Sequence, residues 1–208
     1  MLILFTGKGG VGKSTMAATT AVYHAKQGKN TILVSSDPAH STDDVILQKV
    51  GFSPTKIEEN LWAMNINAEK QAKEFLERTN EGMKSLTANI PGFDSEILSD
   101  MAGFPGMEEY FGMEMIYNLM NDTSYDVVVF DTEPTGHTLK MLTAPDTIRA
   151  FILRVLRMKA KIENIKGFIF RKKSETAKIV KELEDICERI EIFKKLLRED
   201  DCSINLVS

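Results

Sequence analysis

A short segment near the amino terminus combines glycines, a lysine and a hydroxyl group in a spacing that suits phosphate binding. The pattern G-x-x-x-x-G-K-[ST] is matched by Gly7, Lys8, Gly9, Gly10, Val11, Gly12, Lys13 and Ser14. Glycines let backbone N–H groups approach phosphate oxygens without Cβ clashes, Lys13 supplies positive charge, and the Ser14 hydroxyl can ligate Mg²⁺. Together with Thr15, these residues are predicted to bind a nucleoside triphosphate. The competing interpretation is a glycine-rich turn without function.

The elements on either side of this segment support the prediction of a phosphate site. The apolar run Leu2–Phe5 precedes it and is typical of a buried strand, and Thr15–Gln27 has the pattern of a helix that ends at Gly28. The segment is therefore expected where a strand leads into a helix N-terminus, which attracts anions.

Two carboxylates follow other predicted strands. Asp37 comes after the apolar run Thr31–Ser35, and Asp131 comes directly after Val127–Phe130. Open α/β sheets place their ligand contacts at the carboxyl ends of strands, so Asp37 is expected to face the γ-phosphate and Asp131 to hold Mg²⁺. Two simpler interpretations stay open, since Asp37 could cap a helix that begins near Pro38 and Asp131 could begin a turn.

The rest of the pattern predicts an α/β fold with a mostly parallel sheet covered by helices, because apolar β-rich runs alternate with helical periodicity. The predicted strands are Leu2–Thr6, Thr31–Ser35, Leu61–Ile66, Asp126–Phe130 and Cys202–Val207. Apolar residues between Ser174 and Glu199 recur at spacings of three and four, which predicts a long helix with one buried face.

Composition limits the classes of protein to consider. The chain has 208 residues, of which 43% are hydrophobic and 27% charged, enough for one substantial core. Its net charge of −4 gives no general reason to bind nucleic acid. It has no signal sequence and no apolar run of about 18 residues, so a cytoplasmic protein is expected. Cys187 and Cys202 form no C-x-x-C pair, so neither a disulfide nor a zinc site is expected.

The second residue of the glycine-rich segment narrows the class. With Lys8, the segment reads K-G-G-x-G-K-[ST] and resembles the deviant phosphate loop, or deviant Walker A motif, of dimeric ATPases. That class includes partitioning, nitrogenase-reductase and arsenite-pump ATPases, in which this lysine reaches the partner's nucleotide. The resemblance implies a homodimer in which dimerisation gates hydrolysis. Alternatively, Lys8 is simply a solvated surface lysine.

Two longer motifs make the resemblance more specific. The segment Asp37–Ser41 reads D-P-A-H-S, and Asp131–Leu139 reads D-T-x-P-T-G-H-T-L. They are similar to switch I and switch II of the arsenite-pump and tail-anchored-protein-targeting ATPases, and the likeness covers most of the chain. Glu133 departs from the family pattern, in which alanine is usual.

The resemblance implies an ATPase that uses ATP and Mg²⁺. Asp37 would position the attacking water, Lys8 and Lys13 would neutralise charge, and Ser14 with Asp131 would hold Mg²⁺. Switch II would contain Thr135, Gly136 and His137. The family's adenine-contacting residues and zinc-binding C-x-x-C correspond to positions beyond the last residue. A single ATPase domain over residues 1–208, shortened at its carboxyl end, is therefore expected.

The choice within the family depends on cysteine. Arsenite-pump ATPases carry a metalloid-binding cysteine near an element to which Pro91–Glu96 is similar, and this segment contains no thiol. Those pumps commonly contain two ATPase halves, whereas this chain has one, so a homodimer would supply the second. Both features favour targeting of tail-anchored proteins. The alternatives are the catalytic subunit of an arsenite or oxyanion pump and a partitioning or membrane-positioning ATPase.

A client-binding helical subdomain is predicted from about 70–120 and 147–175. Met101–Met120 is rich in methionine, and Ile148–Phe170 combines apolar periodicity with many basic residues. The candidate groove residues are Met107, Met113, Met120, Phe151 and Val155. The expected clients are membrane-anchor helices, with a membrane receptor as a further partner. Alternatively, the methionines belong to the core and the basic residues are solvated.

Overall fold

A six-stranded sheet organises the described part of the chain. The computed structural model describes residues 1–36, 41–75, 107–132 and 173–208, with 77, 146, 149 and 150. The strands are β1 (Leu2–Gly7), β2 (Thr31–Ser35), β3 (Thr55–Glu58), β4 (Leu61–Asn65), β5 (Val127–Asp131) and β6 (Cys202–Val207). Their order in the sheet is β3-β4-β2-β5-β1-β6. The β3–β4 pairing is antiparallel, and the other pairings are parallel.

Helices connect and cover these strands. They are α1 (Lys13–Lys26), α2 (Ser41–Ile46), α3 (Met107–Asn121) and α4 (Lys173–Leu196). Residues 68–75 are also helical, and the Asn67 side chain caps this segment by accepting a 2.8 Å hydrogen bond from the Lys70 backbone N–H. An ion pair between Glu114 and Arg189 joins α3 to α4. In the described ranges, no helix combines the length and apolar character that a membrane span requires.

The core forms around the central strands. Every residue of β1, β2 and β5 is buried, as expected for parallel strands whose two faces are both covered. Helix α1 buries small side chains against the sheet, which allows its backbone a close approach: Ala17, Ala18, Ala21 and Ala25. Helices α3 and α4 bring larger apolar side chains into the same core, among them Ile116, Ile190 and Phe193.

The structure confirms the predicted α/β class and corrects several details. The limits of β2 and β6 match the prediction, whereas β1, β4 and β5 differ from it by one residue at one or both ends. Strand β3 was not predicted, because its sequence Thr-Lys-Ile-Glu is mostly polar and only alternate residues are partly buried. Helix α1 begins at Lys13, two residues earlier than predicted, and α4 ends three residues earlier, at Leu196.

Candidate functional site

The glycine-rich segment joins the end of β1 to the start of α1. Gly10 has φ of +80° and Gly12 has φ of +91°, which are left-handed conformations that side chains rarely adopt. Apart from their chain neighbours, no atom of the described residues lies within 4 Å of the point where a Cβ on either glycine would stand. The backbone conformation, rather than crowding by the described residues, therefore calls for glycine at these two positions, and the described part of the chain leaves the space beside them open.

Lys13, the first residue of α1, lies over this segment. It is only 8% exposed, and its Nζ donates a 3.4 Å hydrogen bond to the Lys8 carbonyl oxygen. Lys8 itself is exposed, as is Thr15, and Ser14 is half-buried. The first turn of α1 contains no acidic residue, so nothing there offsets the positive end of the helix dipole. This end of α1 is thus suited to an anion.

Asp131 lies beside the same segment. It is the last residue of β5 and is 0% exposed, and it stands in register with Phe5 of β1 and with Ser35 of β2. The Thr42 hydroxyl of α2 donates a 3.3 Å hydrogen bond to its Oδ2. A buried carboxylate is costly unless polar partners surround it. Asp131 also lies at the carboxyl end of a parallel strand, where open α/β sheets bind their ligands, and we therefore expect it to have a chemical role.

Helix α2 is held at this edge by a second contact. Asn65, the last residue of β4, donates from Nδ2 to Asp43 Oδ1 at 3.3 Å and to the Val50 carbonyl at 2.9 Å. Thr42, Asp43 and Asn65 were not among the predicted site residues. Their signals were present in the sequence, since Asn65 ends an apolar run and the other two directly follow D-P-A-H-S.

The structure brings some of the predicted site residues together. Gly7 to Thr15 and Asp131 lie at one edge of the sheet, and the Ser36 backbone N–H donates a 3.1 Å hydrogen bond to the Asp131 carbonyl. The predicted switch residues Asp37, Thr135, Gly136 and His137 lie outside the described residues. In the ranges that are described, no group of three or more His, Cys, Asp or Glu side chains is placed to hold a metal by itself.

The structure describes the predicted client groove only in part, and it places two of the candidate residues in the core. Met107 and Met113 are each 2% exposed and belong to the core, and Met120 packs partly buried against it. The reason is a stripe of buried residues at intervals of three along α3: Met107, Tyr110, Met113 and Ile116. Among the described residues, this side of the helix packs against the core. Phe151 and Val155 lie outside the described residues.

Comparison with known proteins identifies the family. The model of a family described as "Anion-transporting ATPase" matches residues 1–208. The chain is 35% identical to "ATPase ASNA1 homolog 1" of Paramecium tetraurelia, over 78% of this chain and 49% of that protein. It is 37% identical to a "Putative arsenical pump-driving ATPase" of Prosthecochloris vibrioformis, over 82% and 40% of the two chains.

An "ATPase ASNA1 homolog" of Dictyostelium discoideum is 33% identical, over 95% of this chain and 56% of that protein. The chain thus spans about half the length of the curated relatives it matches. Because the family model matches the chain from its first residue to its last, the protein belongs to the anion-transporting ATPase family.

Proposed function

We propose that this chain binds Mg·ATP and hydrolyses it to ADP and phosphate. The observation that carries the proposal is that three chemical groups lie at the carboxyl ends of the paired parallel strands β1 and β5. They are the positive end of α1, the Lys13 ammonium group and the buried Asp131 carboxylate. The match to an ATPase family and the ATPase names of the relatives support the same activity.

The residues present fit a polyphosphate and a magnesium ion. The open space beside Gly10 and Gly12 leaves room for phosphate oxygens near backbone N–H groups, and Lys13 provides positive charge. The Ser14 hydroxyl and the Asp131 carboxylate are hard oxygen ligands of the kind that Mg²⁺ takes. A magnesium ion held there would neutralise developing charge on the β- and γ-phosphate oxygens.

The chain's own residues would then act mainly by orientation. Phosphoryl transfer proceeds through a loose transition state, so positioning and electrostatics outweigh proton abstraction. An aspartate with an ordinary pKa of about 3.9 is a weak base at neutral pH, and Asp37 would therefore orient the attacking water rather than deprotonate it. Lys13 would neutralise charge within its own subunit. Lys8, which is exposed in the single chain, would reach the nucleotide of a partner subunit.

The activity is tested by phosphate release from purified chain with Mg·ATP. Lys13→Ala should abolish nucleotide binding and turnover, because it removes the buried ammonium group beside the loop. Lys26→Ala, at the far end of the same helix and exposed, is the matched control and should behave as the wild type. If the wild-type chain releases no phosphate over a wide range of protein concentrations, the proposed ATPase activity is wrong.

The cellular role that we infer is targeting of tail-anchored proteins by a cytoplasmic homodimer, which binds apolar membrane anchors and passes them to a membrane receptor. The switch motifs and the cysteine content support this role. The sequence has two cysteines, on α4 and β6, and burial raises the pKa of both the Cys187 and the Cys202 thiols. As(III) is soft and binds thiolates, so thiols that burial keeps protonated favour it less.

An arsenite or oxyanion pump is the second candidate, because relatives at 37% identity are named putative arsenical pump-driving ATPases. Two measurements separate the candidates. Capture of a peptide with an apolar helix of about 20 residues in the presence of Mg·ATP supports targeting. Stimulation of ATP hydrolysis by arsenite, without such capture, supports the pump.

A further inference from the structure

Two adjacent side chains of α2 form hydrogen bonds with different strands of the sheet. Thr42, which is 1% exposed, donates from Oγ1 to Asp131 Oδ2 on β5, and Asp43 accepts from Asn65 on β4. In the sheet, β4 and β5 lie on either side of β2. Two strand spacings separate them, roughly 10 Å. Helix α2 therefore bridges the carboxyl end of β2 and is held on both sides of it.

The Thr42 contact joins two distant parts of the chain. Thr42 is the second residue of α2, so no earlier turn of this helix offers its hydroxyl a backbone carbonyl. The Thr42 hydroxyl instead donates to a carboxylate 89 positions away in the sequence, and both groups are buried. The contact thus joins α2 to the carboxylate proposed above as a magnesium ligand.

We infer that Thr42 is a positioning residue whose hydroxyl competes with Mg²⁺ for the Asp131 carboxylate. Metal binding would then weaken the hydrogen bond that joins α2 to β5. The inference rests on the proposed ATPase function. The hydroxyl donates to Oδ2 at 3.3 Å and draws on negative charge that both carboxylate oxygens share, so the hydrogen bond and the metal each lower the attraction of the carboxylate for the other. A metal ion bound at Asp131 would weaken the Thr42 contact, and the Thr42 contact would in turn weaken metal binding.

The second contact should survive metal binding. Asn65 is fixed by more than Asp43, because its Nδ2 also donates to the Val50 carbonyl and its backbone N–H donates to the Gly51 carbonyl at 2.8 Å. None of these partners is a proposed metal ligand. Helix α2 is therefore expected to stay attached to β4 while its contact with β5 loosens.

Amide hydrogen exchange of residues 43–47 tests the contact in the chain without nucleotide. Thr42→Val keeps the shape of the side chain and removes the hydroxyl, and exchange should become about fivefold faster, as expected for loss of one hydrogen bond. Thr42→Ser keeps the hydroxyl and should restore protection. Thr31→Val is the matched control, because Thr31 is also buried but donates to the Lys29 carbonyl at the other end of β2.

Competition is tested by titrating Mg²⁺ against binding of a fluorescent ATP analogue. The half-saturating Mg²⁺ concentration should fall about fivefold in Thr42→Val, since the competing hydrogen bond is gone. It should stay at the wild-type value in Thr42→Ser and Thr31→Val. Exchange of residues 43–47 in the wild type should also become faster when Mg²⁺ and the analogue are added together.

Three results would overturn the inference. They are unchanged exchange in Thr42→Val, a half-saturating Mg²⁺ concentration that stays the same or rises, and wild-type exchange that slows at residues 43–47 on metal binding. If the wild type binds no Mg·ATP, the proposed function fails and the competition fails with it. The exchange experiment without nucleotide still decides whether the contact exists. Thr42→Ala replaces Thr42→Val if the latter does not fold.

Discussion

Gly7 lies so close to Val207 that a Cβ on Gly7 would overlap the Val207 carbonyl oxygen. The two residues are in register, at the ends of β1 and β6. The Cγ2 atom of Val11 lies 3.3 Å from the same Cβ position, on the loop itself. Position 7 is thus crowded by β6 and by the loop at once. Correct pairing of the last strand and correct shape of the phosphate loop both depend on glycine here.

Gly7→Ala should therefore disturb both features. The added methyl must push apart two backbones, which we expect to lower the free energy of unfolding by about 1–3 kcal/mol and to weaken nucleotide binding. Gly28→Ala is the control, because Gly28 has φ of +80° but, among the described residues other than its chain neighbours, no atom within 4 Å of its Cβ position. It should cost about 1 kcal/mol of backbone strain and leave nucleotide binding unchanged. Equal effects of the two substitutions on nucleotide binding would contradict the crowding argument.

Lys8 gives a prediction about assembly. If it reaches a partner's nucleotide, ATP hydrolysis per subunit should rise with protein concentration, and Lys8→Ala should weaken dimerisation in Mg·ATP while leaving the fold intact. Sedimentation velocity with and without nucleotide measures the dimer. Lys29→Ala, which also removes an exposed lysine, is the control. A specific activity independent of concentration, together with a monomer in Mg·ATP, would count against this role.

The sequence predicted the elements that bear strong local signals. The limits of β2 and β6 were correct because β2 is a mostly apolar run, β6 alternates apolar and polar residues over most of its length, and both have polar residues on either side. The phosphate loop was predicted because its glycines and Lys13 are adjacent in the sequence. The contact between Thr42 and Asp131 was not predicted, since it joins residues 89 positions apart and no local pattern encodes it.

Burial was the least predictable property. A methionine-rich helix has the same sequence whether its methionines face a client or the core, because the same apolar periodicity serves both. The packing of α3 with the other core elements shows that Met107 and Met113 face the core. Strand β3 was missed for a related reason. Its antiparallel pairing with β4 depends on tertiary contact and not on its mostly polar sequence.

Met113 now gives a prediction about stability rather than about client capture. Met113→Asp should lower the free energy of unfolding by several kcal/mol, about 3 or more, because it buries a charge without a partner in the core. Met16→Asp is the matched control on α1, where the side chain is 49% exposed, and it should change stability by less than about 1 kcal/mol. Urea denaturation measures both. A folded Met113→Asp protein of wild-type stability would contradict the core assignment.

His24 gives a prediction about pH. Burial, and then the positive charge of Lys29, lower the pKa of His24, and among the described residues its Nδ1 has no hydrogen-bond partner. The unfolded chain therefore binds more protons than the folded chain just below its ordinary pKa of about 6.5. The stabilising contribution of neutral His24 is complete above that pH and is lost as the pH falls below it.

His24→Gln should remove this part of the pH dependence. Urea denaturation at about pH 7.5 and 5.5 should show a smaller loss of stability in the variant than in the wild type. Lys26→Gln, a neighbouring exposed change on α1, should keep the wild-type loss. If the wild type and His24→Gln lose the same stability between the two pH values, the lowered pKa is not a feature of the folded chain.

Asp37 supplies the sharpest test of the proposed chemistry. Asp37→Asn keeps the size of the side chain and removes its charge. We expect Mg·ATP binding to be retained while hydrolysis falls by roughly 100-fold or more, because the attacking water loses its orientation. Asp44→Asn is the matched control, since Asp44 is an exposed aspartate on α2 a few residues later in the chain, and it should hydrolyse ATP at the wild-type rate. Binding measured with a fluorescent ATP analogue separates a loss of affinity from a loss of turnover. Unchanged turnover in Asp37→Asn would show that another group orients the water.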